Sequence, residues 1–391
     1  MMSRESRVSD MNLNRRRFLP YAAAFMTAPR LIGADGAVSL FNGRDLSGWQ
    51  IRNGPESAFY VSEGTIAASP SSGWPAWLST NREYENLEFS CEVLFNGWTD
   101  GGIYLNAPEH GRATDCGLQI KLFHQLDKEP KTNSMGSVFP VVAPKRADVH
   151  KPGEWNRLRI LQDWPALRVW INGEVVQDLR LDMHPELSRR LRRGPIGVVT
   201  LGYPFRFRNL SVRELPSKLR WTTLFDGPGD MQKWFVSESS ERAPVRFEPY
   251  GHVLRADGLG HIATKELYRE FELQLYIRGA RHHNGGVLFR SAGKGLTDLR
   301  RYEIQLHDVP EAHFPTGSLY YLKRSKYPNI RDEEWFLFQL AALGKNCWVR
   351  INGETVLEYD DLKDLEPGHI ELQAHQAGRW LEFKRVRIRP L

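Results

Sequence analysis

Val169-Trp170-Ile171-Asn172-Gly173-Glu174 and Val349-Arg350-Ile351-Asn352-Gly353-Glu354 are one hairpin written twice. In each, apolar strand residues flank an Asn-Gly pair, the dipeptide for which the positive φ values of a tight β-turn cost least. Other pairs follow in the same order. Leu40-Phe41-Asn42-Gly43 returns as Leu224-Phe225-Asp226-Gly227, and Gly101-Gly102-Ile103 as Gly285-Gly286-Val287. Met135 to Phe139 matches Thr316 to Tyr320, Glu154-Trp155 matches Glu334-Trp335, and Phe207 to Val212 matches Phe383 to Ile388. Collinear matches at a nearly constant offset indicate tandem duplication. Units of ~170 residues are domains, because solenoid repeats run ~20–50 residues.

The seam falls near Leu215-Pro216-Ser217-Lys218, giving a first unit over 35–215 and a second over 220–391, behind a leader at 1–34. Within the units the period is two. Phe271, Leu273, Leu275 and Ile277 alternate with polar or amphipathic residues, as do Phe89, Cys91, Val93 and Phe95. Such alternation marks half-buried strands. Helical periodicity is weak, with one short candidate segment at 185–191. The expectation is an all-β chain of two tandem jelly-roll β-sandwiches.

Composition agrees with a globular chain: 391 residues, 41% hydrophobic and 26% charged. Lys+Arg 53 against Asp+Glu 47 gives a net charge of +6. Six arginines against Glu5 and Asp10 put +4 of this in residues 1–34, leaving +2 for the rest. So weak a balance argues against nucleic acid as a partner. No run approaches the ~20 apolar residues of a membrane helix. With 3 cysteines, a disulfide framework is excluded. Cys91, on an apolar face, is expected in the core, with a Cys91–Cys116 disulfide as the alternative; Cys347 is expected to be a small buried hydrophobe.

Asn14-Arg15-Arg16-Arg17-Phe18-Leu19 precedes a short apolar run, Tyr21 to Ala28. A basic region before a short apolar one is an export pattern. The paired arginines resemble the twin-arginine signal. The expected partner is therefore the twin-arginine export machinery, and the expected location periplasmic or secreted.

The repeated motifs resemble the family of 3-keto-disaccharide hydrolases, whose fold is a concanavalin-like jelly roll. The opening motif is sharpest in Leu40-Phe41-Asn42-Gly43, and the later ones in Asn284-Gly285-Gly286 to Arg290, Tyr302 to Asp308, and Gly368 to His375. The resemblance implies an oligosaccharide or glycoside substrate oxidised at C3. The ketone acidifies the proton at C2, so a base can remove it, the C1 substituent leaves by elimination, and water adds. That chemistry needs a general base, an oxyanion stabiliser and a proton donor.

Strand parity supplies candidates, because neighbouring side chains point to opposite faces. Glu303, Gln305 and His307 share one face of their strand and Glu371, Gln373 and His375 one face of theirs, with Asp308 ending the first. Glu303 and His307 are the candidate base and acid, in either order. His375, Gln305 and Arg290 are candidates for the enolate oxygen or sugar hydroxyls, and Gln373 and Asn284 join the substrate-binding set. Glu303 and Asp308 fall on opposite faces, which ranks a glycosidase-type carboxylate pair lower. Aligned on the glutamine, the first unit reads Cys116 to Leu122 against 302–308. Gln119 then matches Gln305, Gly117 matches Glu303 and Lys121 matches His307. Gln373, His375 and Arg290 become Val199, Leu201 and Asn106. The first unit keeps the frame without the ionisable groups, so the principal site is expected in the second, with the first binding, shielding or shaping it.

The sequence implies no definite cofactor and leaves a divalent metal open. His307, Asp308, His375 and Glu303 are competent ligand types for a divalent metal, but their spacing matches no compact motif. His282 and His283 are expected to be exposed loop residues. Trp74, Trp77 and Trp98 are candidates for stacking on sugar rings or for packing. Trp155 and Trp335 are expected to pack, and Arg192-Arg193 to form a solvated turn. The competing readings are a non-catalytic, lectin-like carbohydrate-binding protein and a purely structural tandem sandwich.

Overall fold

The structure, a computed structural model, describes residues 36–69, 76–124, 129–294 and 301–391. The expected export leader at 1–34 and Trp74 lie outside them. The two Asn-Gly turns form as their residues dictate: φ is 53° and 89° at Asn172 and Gly173, and 49° and 86° at Asn352 and Gly353. Each joins two paired strands, and a bulge falls at the same place in both, between Val169 and Trp170 and between Val349 and Arg350.

Each unit is a two-sheet antiparallel sandwich. The first pairs an eight-stranded sheet with a six-stranded one, and the second an eight-stranded sheet with a five-stranded one. Residues 215–221, around the expected seam, join the last strand of the first unit, Arg206–Glu214, to Thr222–Phe225 of the second. Phe89, Cys91 and Val93 enter the first core, and Phe271, Leu273, Leu275 and Ile277 the second. The helical candidate at 185–191 is reduced to one turn, Pro185–Ser188. All three cysteines are free and buried, so Cys91 and Cys116 form no disulfide. Among the described residues no helix is long and apolar enough to cross a membrane.

The outer side of the second unit's large sheet carries Tyr276, Leu337 and Arg350, and there the first unit docks. Tyr276 and Leu337 pack on Cys116 and Leu191. The Glu109 backbone N–H donates to the Tyr276 hydroxyl at 2.7 Å. Glu109 pairs with Lys384 at 2.7 Å and Arg385 at 2.8 Å, and Glu83 with Arg387 at 2.9 Å. Arg192 is no solvated turn residue: it is buried, with its guanidinium 3.1 Å from the Trp164 ring centre. The five-stranded sheet therefore looks away from the first unit. The expected shielding or shaping of the site by that unit is not found, because it stands behind the sandwich.

Candidate functional site

The five-stranded sheet runs, strand by strand, Trp234–Ser239, Gly260–Thr264, His369–Ala374, Asn284–Ser291 and Tyr302–His307. Ile262, Leu372, Val287 and Ile304 fill the core from its inner side. Parity then turns His261, Glu371, Gln373, Gly286, Glu303 and Gln305 outward. The register aligns them in rows. Gln305, Gly286, Gln373 and His261 form one row across four strands, and Glu303, Leu288, Glu371 and Ala263 the next.

Glu303 is the unusual group. It is buried except for 8% of its surface, and no hydrogen bond or ion pair ties its carboxyl to another described residue. Burial pushes it up, Arg301 and His261 pull it down, Glu371 adds to the rise, and the net result is about 7. A carboxyl so placed exchanges a proton near neutrality. Its room comes from Gly286 on the next strand, where a Cβ would lie 2.9 Å from the Glu303 Cγ and Oε1.

Behind Glu303 stands a pair that strand parity alone did not single out. His261 and Glu371 are both fully buried, and the His261 Nδ1 lies 2.9 Å from the Glu371 Oε2. Glu371 also accepts from Ser237 at 3.1 Å and from Ser291. Burial raises the Glu371 carboxyl, but the hydrogen bonds from His261, Ser291 and Ser237 overcome this and hold it below its ordinary value. With Nδ1–H donating to Glu371, the His261 Nε2 accepts from the Gln373 side-chain amide, 3.2 Å away. Glu371, His261 and Gln373 thus form one continuous chain under the face.

Gln305 donates to the Asn284 Oδ1 at 2.6 Å, leaving the Asn284 Nδ2 with no described protein partner. His307 pairs in register with Asn284, and the His375 backbone N–H donates to the Asn284 carbonyl at 3.2 Å. Burial holds both His307 and His375 below the usual histidine range, so both are neutral at pH 7. They meet at the strand ends. Four residues separate His307 from Glu303, roughly 13 Å along the strand. The aromatic pair Tyr320 and Tyr321, ring centres 4.2 Å apart, borders the Glu303 end, and Tyr321 is 77% exposed.

Several expected site residues lie elsewhere. Arg290 is fully buried and spends its guanidinium on the carbonyls of Arg269, Asp364 and Gly344 at 3.0–3.1 Å, so it braces loops and does not face a substrate. Asp308 accepts from the His282 backbone N–H at 2.7 Å, off the Glu303 face. His282 is exposed as expected, but His283 is buried, with its Nδ1 3.0 Å from the Ala280 carbonyl. Among the described residues no three His, Cys, Asp or Glu side chains gather as metal ligands do.

The first unit's register corrects the copy comparison. Gly102 faces Lys121, as Gly286 faces Gln305. Gln119 therefore stands in the place of Glu303, Lys121 in that of Gln305 and Phe123 in that of His307. The two-residue slip preserved parity, so the face was read correctly and its members were not. Trp77 occupies the place of His261, Gly197 that of Glu371 and Val199 that of Gln373. Trp77, Tyr104 and Val199 form an apolar cluster, with the Trp77 and Tyr104 rings edge to face at 5.4 Å. Gln119 is buried and donates to the Gly101 carbonyl at 3.1 Å, so it offers no substrate contact. Trp98, 61% exposed, lies at the edge of that face.

A family model for the 3-keto-alpha-glucoside-1,2-lyase-like domain matches residues 36–213 and again 220–389. Among solved structures, the chain is similar to a Parabacteroides distasonis protein provisionally described as a glycosyl hydrolase, at 19% identity over 47% of this chain and 96% of that one, TM-score 0.41. A second such protein from the same organism matches at 20% identity over 46% and 99%, TM-score 0.40. A carbohydrate binding module from Bacillus subtilis matches at 12% identity over 43% and 96%, TM-score 0.33. No curated protein matches.

Proposed function

We propose, for a chain that belongs twice over to the 3-keto-alpha-glucoside-1,2-lyase-like domain family, that the second sandwich cleaves 3-keto-glycosides by elimination and hydration. The observation that carries this reading is Glu303: a carboxyl at about 7 on the outer face, without a partner among the described residues and set over a glycine. In its ionised form it takes the C2 proton. The electron pair moves onto the C3 oxygen as an enolate. The Asn284 amide, held by Gln305, which stands midway along the strand between Glu303 and His307, donates to that oxygen.

The enolate then expels the C1 oxygen, forming the C1=C2 double bond. Neutral His307, beside Asn284, donates its N–H toward the departing oxygen, a role open to an imidazole that is uncharged at working pH. Water adds at C1 and gives its remaining proton to His307, and Glu303, its proton exchanged with solvent, protonates C2, so the sum is hydrolysis. Glu371 and His261 touch no substrate; they are positioning residues, orienting Gln373 and setting the field at Glu303. The exposed Tyr321 supplies a stacking surface for a sugar ring. We read residues 1–34 as a twin-arginine export leader, placing the activity outside the cytoplasm. The test is turnover of 3-keto and unoxidised disaccharides by the wild type and Glu303→Gln: release only from the keto sugar, and only by the wild type, is the expected result.

A further inference from the structure

A cleft of about 790 Å3 opens between the two sandwiches, on the side of the second unit away from Glu303. Arg190 of the first unit and Arg350 of the second line it, and both are more than nine-tenths buried. Arg190 donates to the Gly117 carbonyl at 2.9 Å, and Arg350 to the carbonyls of Arg189 and Gly353. The Nε of each is buried without a hydrogen-bond partner, and neither guanidinium belongs to an ion pair among the described residues. Burial lowers both, and the nearby Arg190 and Arg189 lower Arg350 further, to about 10. Two neighbouring buried cations with orphaned donors are costly unless an anion joins them.

The walls say which anion. Asp115 is engaged by Arg112 at 3.6 Å, Glu358 by Arg189 at 2.6 Å, and Glu354 by Lys326. These carboxylates oppose a compact dianion but accept hydrogen bonds from hydroxyl groups. A single negative charge on a polyol satisfies both the floor and the walls.

We propose that the interdomain cleft binds a sugar acid, a uronate or an aldonate, with its carboxylate on Arg190 and Arg350 and its hydroxyls toward the acidic walls. The anion site stands on its own geometry; the choice of a sugar rests on the function proposed above. The test is calorimetric titration of the full chain with glucuronate, gluconate, glucose and inorganic phosphate. The expected result is saturable binding of glucuronate or gluconate, with glucose weaker by about 10-fold or more, the scale of hydrogen bonds to a charged group. Arg190→Gln is expected to weaken binding similarly. Thr355→Trp, which fills the cleft from an exposed position across the hairpin from Arg350, removes binding while the melting temperature holds. Glu303→Gln leaves it intact. Equal binding of glucose, phosphate binding tighter than either acid, no saturable binding of either acid, or binding that survives Thr355→Trp would each overturn the proposal. So would loss of binding in Glu303→Gln, which would place the acid on the other face. The titration reads binding without turnover, so its failure is separate from failure of the proposed reaction.

Discussion

The Glu303 carboxyl lies across Gly286: a Cβ on that glycine would sit 2.9 Å from the Glu303 Oε1. A strand glycine gives up packing and backbone stability, so its presence at the centre of a sheet marks a close approach. Here the approaching group is the candidate base. Gly286→Ala pushes a flexible side-chain end, so folding stability changes little, while the carboxyl moves by several tenths of an ångström. Turnover is expected to fall by about 10²-fold, as for small misplacements of reacting groups. Steady-state kinetics beside a thermal melt check this; an unchanged kcat counts against the placement of Glu303.

Glu303 predicts a pH signature with a definite sign. Its folded value is raised to about 7 from 4.5, so the native state holds a proton that the unfolded chain has released. Stability is therefore lost as pH rises through that window, by up to about 3 kcal/mol from 1.36 kcal/mol per unit. Glu303→Gln removes the penalty. The variant is expected to melt higher than the wild type at pH 8 and equally at pH 4, while losing turnover. Wild-type activity rises through pH 7 as the base ionises. Melts and pH–rate profiles of both proteins provide the check.

The buried pair behaves oppositely. Glu371 is held below its ordinary value, so its contribution is present above that value and is lost as pH falls through the folded one. His261→Ala leaves Glu371 fully buried with only two serine donors. A loss of roughly 3–5 kcal/mol is expected, the cost of stripping a partner from a buried carboxylate. Glu371→Gln, which keeps the shape and some hydrogen bonds, costs less. Urea unfolding at pH 7 measures both, and a His261→Ala variant as stable as the wild type contradicts the buried pair.

The first unit keeps the frame but sets Gln119 and Trp77 where the second has Glu303 and His261. Gln119→Ala and Trp77→Ala are expected to leave kcat on a 3-keto substrate within about 2-fold of the wild type, although Trp77→Ala lowers stability by about 3–5 kcal/mol as a large core truncation. Equal losses of kcat from Gln119→Ala and Glu303→Ala, in folded protein, contradict a single site in the second unit.

The duplication, the sandwiches and the outward face were legible in the sequence because they rest on short-range rules. Asn-Gly fixes a turn, and parity fixes a face. The Glu371–His261 pair was not legible, because it joins strands more than a hundred residues apart whose adjacency appears only in the folded sheet. Aligning the copies by the offset of 184 between Gly102 and Gly286 sets His261 against Trp77, a signal that anchoring on the glutamine obscured. Arg290 misled for a different reason. It follows an outward-facing strand pattern, but a bulge between Leu288 and Ser291 and a φ of 51° turn it into the loops. Arg192 looked solvated because nothing local announces that a second domain's sheet will cover it.

The central claim is removal of the C2 proton by Glu303. The most direct measurement is incubation of a 3-keto disaccharide with the protein in D2O, followed by NMR of the released keto sugar. Wild-type protein is expected to give product carrying deuterium at C2, with none released by Glu303→Gln and none from the unoxidised disaccharide. Product that retains its original C2 hydrogen, or release by Glu303→Gln at the wild-type rate, would contradict the account.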